Sequence, residues 1–274
     1  MTPLLERIER YYDAVPRRFA RVEDCGPFTL FLGEPGGWVY YARPRLDGTA
    51  GAGGLDAVDV AAATGRLRHL GLPEVLEWVD ETTPGLLAAV QHEGSLTVTE
   101  LPLMVLDDAG EDHPSALPSG VRVRLLGPAD EAAVAAGRAV SELAFGSAGT
   151  TRGEQGTRER DARLRPVQQR VLGLLAEGAV RMAVAESDAQ GVLAAGRTLP
   201  IDGVTEVMGV ATLPAARRAG LGTAVTRALV DDARALGVGT VFLTASSPEV
   251  ARVYSRVGFR RVATAYSAEG RDRP

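Results

Sequence analysis

The stretch LPAARRAGLGTA, residues 213 to 224, sets two arginines, Arg217 and Arg218, just ahead of two glycines, Gly220 and Gly222, that bracket Leu221. An apolar helix begins at the same point. Glycine lets a ligand approach the backbone closely, because no side chain intervenes. A helix start offers unpaired amide donors and the positive end of the helix dipole. The combination suits a phosphate, and neighbouring guanidinium groups can chelate phosphate oxygens. The sequence here lacks the Gly-Lys-Ser/Thr of a nucleotide P-loop, and Val225 stands where a GxGxxG fingerprint needs its last glycine.

The elements that must position this loop can be read around it. VTEVMGVATL, from Val204, is a strand that enters the loop. Residues 220 to 236 form an amphipathic helix with Leu221, Ala224, Val225, Ala228, Leu229, Ala233 and Leu236 on one stripe, and Gly237 as its stop. VGTVFLTA is the next strand, Ser247-Pro248-Glu249 caps a further helix, and Gly258 ends it before a last strand from Phe259 to Ala263.

With this order of elements and the downstream VYSRVGF, residues 204 to 262 resemble the GNAT acetyltransferase superfamily. The resemblance implies a diphosphate carried on acetyl-CoA, as co-substrate and with no metal. It implies that the backbone of Val210, Ala211 and Thr212 pairs with the pantetheine arm. It also implies that Arg217, Arg218, Ala219, Gly220, Leu221, Gly222 and Thr223 hold the diphosphate, and that the amide of Val210 or Ala211 polarises the thioester carbonyl. Ser247 stands where many members place a cofactor-touching asparagine. Tyr254 lies at the position of the family's general acid, the other reading being a half-buried ring packing beside Val253 and Val257. Glu206 lies where members often carry a basic carboxylate, the other reading being a solvated strand residue. The reaction implied is direct attack of a primary amine, on a small molecule or an exposed amino group, within a ternary complex. The alternative is an acyl-CoA sensor or interaction protein that keeps the fold without the chemistry.

The remaining chain is consistent with such a domain and adds a second. At 274 residues the chain is long for one domain and comfortable for two. The expected fold class is α/β (α+β), a mixed, mostly antiparallel central sheet flanked by helices, with a smaller α/β domain before it. Residues 106 to 119, acidic and proline-bearing, read as a linker between a domain at 1–105 and the acetyltransferase domain at 120–268. The first half has no RxxGxG, yet its order of strands and helices resembles a worn GNAT copy that has lost its loop, or else an unrelated α/β module. Its helix at TPGLLAAVQHEG is expected to take Thr83 as cap.

All 30 basic residues are arginines, and the formal charge of −5 with no basic domain argues against nucleic acid. Arg152, Arg158, Arg160, Arg163 and Arg165, interspersed with Glu154, Glu159 and Asp161, read as a solvated, mobile loop rather than an acidic-substrate clamp. A lone Cys25 and scattered His69, His92 and His113 give no metal spacing. No stretch has the length and apolarity of a membrane span or signal peptide, so a cytoplasmic protein is expected, with a homodimer left open.

Overall fold

The structure, a computed structural model, describes residues 2–33, 40–47, 54–107, 117–147 and 149–270. Most of the expected linker, at 108–116, lies outside them, as do residues 34–39. The chain divides into two compact units, Met1–Leu103 with Arg261–Pro274, and Met104–Arg260. Residues 261–268, which the sequence reading joins to the second domain, group with the first.

In the first unit α1 (Pro3–Arg17) starts at Thr2, whose hydroxyl accepts from the Leu5 amide at 3.3 Å. Next come β1 (Ala20–Cys25), β2 (Phe28–Gly33), β3 (Tyr40–Pro44), α2 (Ala57–His69), β4 (Val75–Val79), α3 (Leu86–Glu93) and β5 (Leu96–Leu106), which runs past the division. β1 escapes the sequence reading because ARVEDC buries no residue fully. It is held by antiparallel pairing with β2 from Ala20↔Gly33 to Cys25↔Phe28. β2 pairs with β3 antiparallel and β3 with β4 parallel, and the last strand, β11 (Phe259–Gly270), runs antiparallel to β4. Phe28, Leu30, Leu76 and Trp78 form a core with Val60, Ala63 and Leu67 of α2 and Leu86 of α3. Thr83 does not cap α3. Gly85, with φ +94°, takes that place and gives no side-chain bond.

The second unit contains β6 (Val121–Leu126), α4 (Glu131–Phe145), α5 (Thr157–Asp161), α6 (Gln169–Ala176), β7 (Arg181–Ser187), β8 (Gly191–Thr198), β9 (Val204–Thr212), a 3-10 turn (Pro214–Ala216), α7 (Leu221–Ala235), β10 (Thr240–Thr244) and α8 (Pro248–Ser255). Its strands lie in the order β10-β9-β8-β7-β6. All neighbours are antiparallel except the parallel pair β9 and β10.

Helices cover both faces of this sheet. α7 lies so close to β8 that a Cβ on Gly196 would sit 3.0 Å from Val225 Cγ1 and 3.1 Å from Leu229 Cδ1. α4 covers the other face, where a Cβ on Gly137 would sit 3.2 Å from that of Ala195. The buried stripe of α7 keeps Leu221, Val225, Leu229 and Ala233, but Leu236 is 53% exposed. Leu236 is already past the last helical residue, where the stripe has run off the sheet. Asp232 is buried instead, because Arg181 donates to it at 2.8 and 2.5 Å.

The arginine-rich segment is only partly solvated. Residues 157–161 are helical, and the buried Arg160 donates to the carbonyls of Gln190 and Val192 at 2.7 and 2.6 Å. A guanidinium can enter an interior when carbonyls meet its donors, and sequence alone does not show that they do.

Candidate active site

The parallel ladder between β9 and β10 is short. It runs Thr240↔Val204, Val241↔Thr205 and Phe242↔Glu206, and stops there, although β9 continues to Thr212. On its other side β9 stays on β8 as far as Thr212↔Ala194. The registers Ala195↔Ala211 and Arg197↔Met208 leave an extra residue on β9 at Gly209 and Val210. This is a bulge, and Gly209 supplies the left-handed backbone it needs, at φ +62°. Past Glu206, then, the side of β9 that faced β10 has left its ladder, and its amides and carbonyls can take an extended guest by β-augmentation. Val210, Ala211 and Thr212 lie on this stretch.

The strand feeds directly into the arginine-glycine loop. The Ala216 amide closes the 3-10 turn on Leu213 O at 2.8 Å. Arg218 and Gly220 both have left-handed backbones, at φ +64° and +76°. The first bond of α7 is from the Ala224 amide to Gly220 O at 3.0 Å, and Gly220 offers no capping side chain. Among the described residues, the amides of Arg218, Ala219, Gly220, Leu221, Gly222 and Thr223 make no backbone hydrogen bond. Six consecutive amides around a helix N-terminus, with no carboxylate capping them, can bind an anion.

The two arginines of the loop do different things. Arg217 is buried, and its guanidinium donates to the carbonyls of Thr151 (3.3 Å), Ala144 (3.0 Å) and Ser147 (2.9 Å). Its side chain is therefore spent on the protein, which corrects the expectation that it chelates phosphate. Arg218 is exposed beside the amides. Ser247 likewise works locally: its hydroxyl oxygen accepts from the Val250 amide at 3.3 Å as the N-cap of α8. The Glu249 carboxyl is held below the usual carboxylate range by its own amide and then by the Ser247 hydroxyl.

Glu206 sits at the last register that β9 shares with β10, where those two strands part. Thr244 of β10 donates its hydroxyl to Glu206 Oε1 at 2.8 Å, which orients the carboxylate. Alternation along β9 puts Glu206 and Met208 on the face of Arg197 and Ala195, the face covered by α4. Tyr254 is on α8, its ring edge-to-face with Phe259 at 6.1 Å between centroids. The ring is half-buried, and burial pushes the Tyr254 hydroxyl up to about 12. It is therefore neutral near pH 7, and can donate but not act as a base.

Thr244, Gly209 and Arg152 escape the sequence reading. Thr244 is two residues past its pairing register, and Gly209 is an ordinary strand glycine until the register shift is seen. Arg152 donates from Nε to the Arg217 carbonyl at 3.2 Å across 65 residues, a link that no local pattern encodes. Among the described residues there is no group of three or more His, Cys, Asp or Glu able to hold a metal ion, and no helix long and apolar enough to cross a membrane.

Residues 151–259 match the family model described as acetyltransferase (GNAT) family. No curated protein matches the chain in sequence. Among solved structures, a GCN5-related N-acetyltransferase from Kribbella flavida superposes with a TM-score of 0.66 at 23% identity, over 100% of this chain and 97% of that one. One from Sphaerobacter thermophilus gives 0.59 at 16% identity, over 98% and 86%. A tandem GNAT protein from the clavulanic acid biosynthesis pathway gives 0.56 at 18% identity, over 95% and 89%. Identities of this size speak for the fold, and the family match for the second half. The chain has the GNAT fold, and the match to the acetyltransferase (GNAT) family model spans its residues 151–259.

Proposed function

We propose that the second unit transfers an acetyl group from acetyl-CoA to a primary amine. The observation that carries this is the parting of β9 and β10 beyond Glu206, directly beside six uncommitted amides at the start of α7. An extended pantetheine arm suits the freed edge of Val210 to Thr212, and a diphosphate suits the amides of Arg218 to Thr223. Arg217 contributes its backbone to that loop and Arg218 its charge.

In the reaction the amine lone pair attacks the thioester carbon, and the carbonyl oxygen takes negative charge against the amide of Val210 or Ala211. Glu206, directly or through a water, receives the proton lost by the amine. The carbon–sulfur bond then breaks, the hydroxyl of Tyr254 gives a hydrogen bond to the departing thiolate, and the thiolate takes its proton from solvent while Glu206 returns its own. The products are the acetylated amine and coenzyme A.

The first unit is an N-terminal relic of the same fold in this proposal. Its run β1-β2-β3-α2-β4-α3-β5 repeats the order β7-β8-β9-α7-β10-α8-β11, with the parallel pair at the same place. The start of α2 differs from that of α7 in one decisive way. Asp56 accepts from the amides of Val58 and Asp59 at 2.8 and 3.0 Å, and Asp59 accepts from the Asp56 amide at 3.2 Å. Two carboxylates fill the place a diphosphate would take and repel it.

Coenzyme A should raise the melting temperature of the wild-type chain, since a ligand bound only by the folded state stabilises it. Gly222→Glu is the test variant. A Cβ there meets only ordinary contacts, 3.5 Å to Thr212 Oγ1, and an acidic residue in a helix's first turn is favourable. The variant should fold at least as well as the wild type and lose the coenzyme A shift. A retained shift would overturn the assignment of the loop. Binding without turnover of any amine in a broad panel would favour the non-catalytic alternative.

A further inference from the structure

Arg217 joins the amide loop to the α4–α5 connection at several points. Its guanidinium meets the carbonyls of Ala144 and Ser147, at and just past the end of α4, and that of Thr151. The connection answers at the backbone: Arg152 Nε donates to the Arg217 carbonyl, the Gly153 amide to Pro214 O at 3.1 Å, and the Ala215 amide to Gln155 O at 3.0 Å. The last carbonyls of a helix lack partners within it, and the negative end of the dipole favours a cation there. A planar fork with donors on both terminal nitrogens is suited to several carbonyls at once in a way that an ammonium is not.

The residue after Arg217 shows what this anchoring accomplishes. Arg218 has a left-handed backbone without being glycine. Such a conformation persists only where the surroundings fix it. Arg217, locked on one side, fixes the direction in which the Arg218 to Thr223 amides point. The same α4 covers the sheet face that carries Glu206, so the connection continues from the helix that lies over that face.

We infer that Arg217 is a positioning residue that couples the two: filling the amide loop with a coenzyme A diphosphate tightens residues 149–155, so the wall beside the acceptor is set by the cofactor. The inference rests on reading the loop as the diphosphate site. Coupling of this kind is reciprocal, since whatever orders the connection also favours the loop conformation that binds the anion.

Hydrogen exchange with and without coenzyme A tests this on the full chain. In the wild type, exchange should slow at 218–223 and also, by about tenfold, at 149–155, where opening is otherwise local. In Arg217→Met the slowing at 218–223 should persist in weakened form while 149–155 ceases to respond. Arg217→Lys should restore only part of the response. If Arg217→Met does not fold, Arg152→Met removes the single bond to the Arg217 carbonyl and should reduce the response at 149–155. Protection at 218–223 with none at 149–155 in the wild type would overturn the coupling and leave the cofactor reading intact, as would a full response in Arg217→Met. No protection at either segment would instead refute the cofactor reading itself.

Discussion

Replacing Tyr254 with phenylalanine separates chemistry from packing unusually well in this structure. The ring's edge-to-face contact with Phe259 survives the change. The hydroxyl makes no hydrogen bond among the described residues, so its loss leaves no partner unsatisfied and the melting temperature near pH 7 should hold. The size of the kinetic effect follows from the raised hydroxyl. A thiol ionises near ~8.5, and burial holds Tyr254 at about 12. Complete proton transfer from tyrosine to thiolate would thus be uphill by about 5 kcal/mol, at ~1.4 kcal/mol per unit. Tyr254 is better suited to donating a strong hydrogen bond as negative charge grows on sulfur. Such a charge-assisted bond contributes about 1.5–3 kcal/mol, or about 10- to 150-fold in rate.

Stopped assays of thiol release with an amine found by screening should therefore show kcat reduced by that factor, and the coenzyme A dissociation constant within about twofold of wild type. Alkaline stability supplies an internal control. Unfolded tyrosine titrates near ~10 and the folded one near 12, so between these pH values the folded state holds more protons and loses stability as pH rises. Tyr254→Phe should flatten that slope. Wild-type turnover in the variant would refute the donor role. An unchanged slope would show that the burial seen here does not govern this hydroxyl.

Two more outcomes follow from the geometry. Gly196→Ala places a methyl 3.0 to 3.1 Å from Val225, Leu229 and Val210, so it should cost about 1–3 kcal/mol by overpacking and also weaken coenzyme A, because Val210 lies on the freed edge; thermal melts and calorimetry report both, and a silent substitution would refute the close packing of α7. Calorimetric titration of the full chain should give a single coenzyme A site, because Asp56 and Asp59 occupy the start of α2, and a stoichiometry of two would refute that reading.

The second half was legible because its signals are local. The apolar stripe of 220 to 236, the glycines at 220 and 222, the Ser247-Pro248 cap and the spacing to Tyr254 each act within a few residues, and the strands and helices they announce are present. What escaped depends on partners far away in sequence. β1 exists because β2 pairs with it, and the last strand extends to Gly270 because residues 265–269 find β4. Arg160 is buried because carbonyls some 30 residues on receive it. An interspersed run of arginine and glutamate is the same text whether or not such carbonyls wait for it.

Arg217 and Arg218 show the same limit at its sharpest. They are adjacent, identical in type, and equally able to bind phosphate as far as sequence tells. One backbone angle separates them. Arg217 is extended, with φ −62° and ψ 159°, and its side chain runs inward to the end of α4. Arg218 turns left-handed at φ +64°, a conformation costing about 1–2 kcal/mol for a residue with a Cβ, and its side chain emerges into solvent. Three charge-assisted bonds from Arg217 are together large enough to offset that cost. The anchored first arginine thereby helps hold the second in its left-handed backbone geometry. On the proposed reading of the loop the pair is one device, in which a buried charge would keep a backbone open for an anion and an exposed charge would face it.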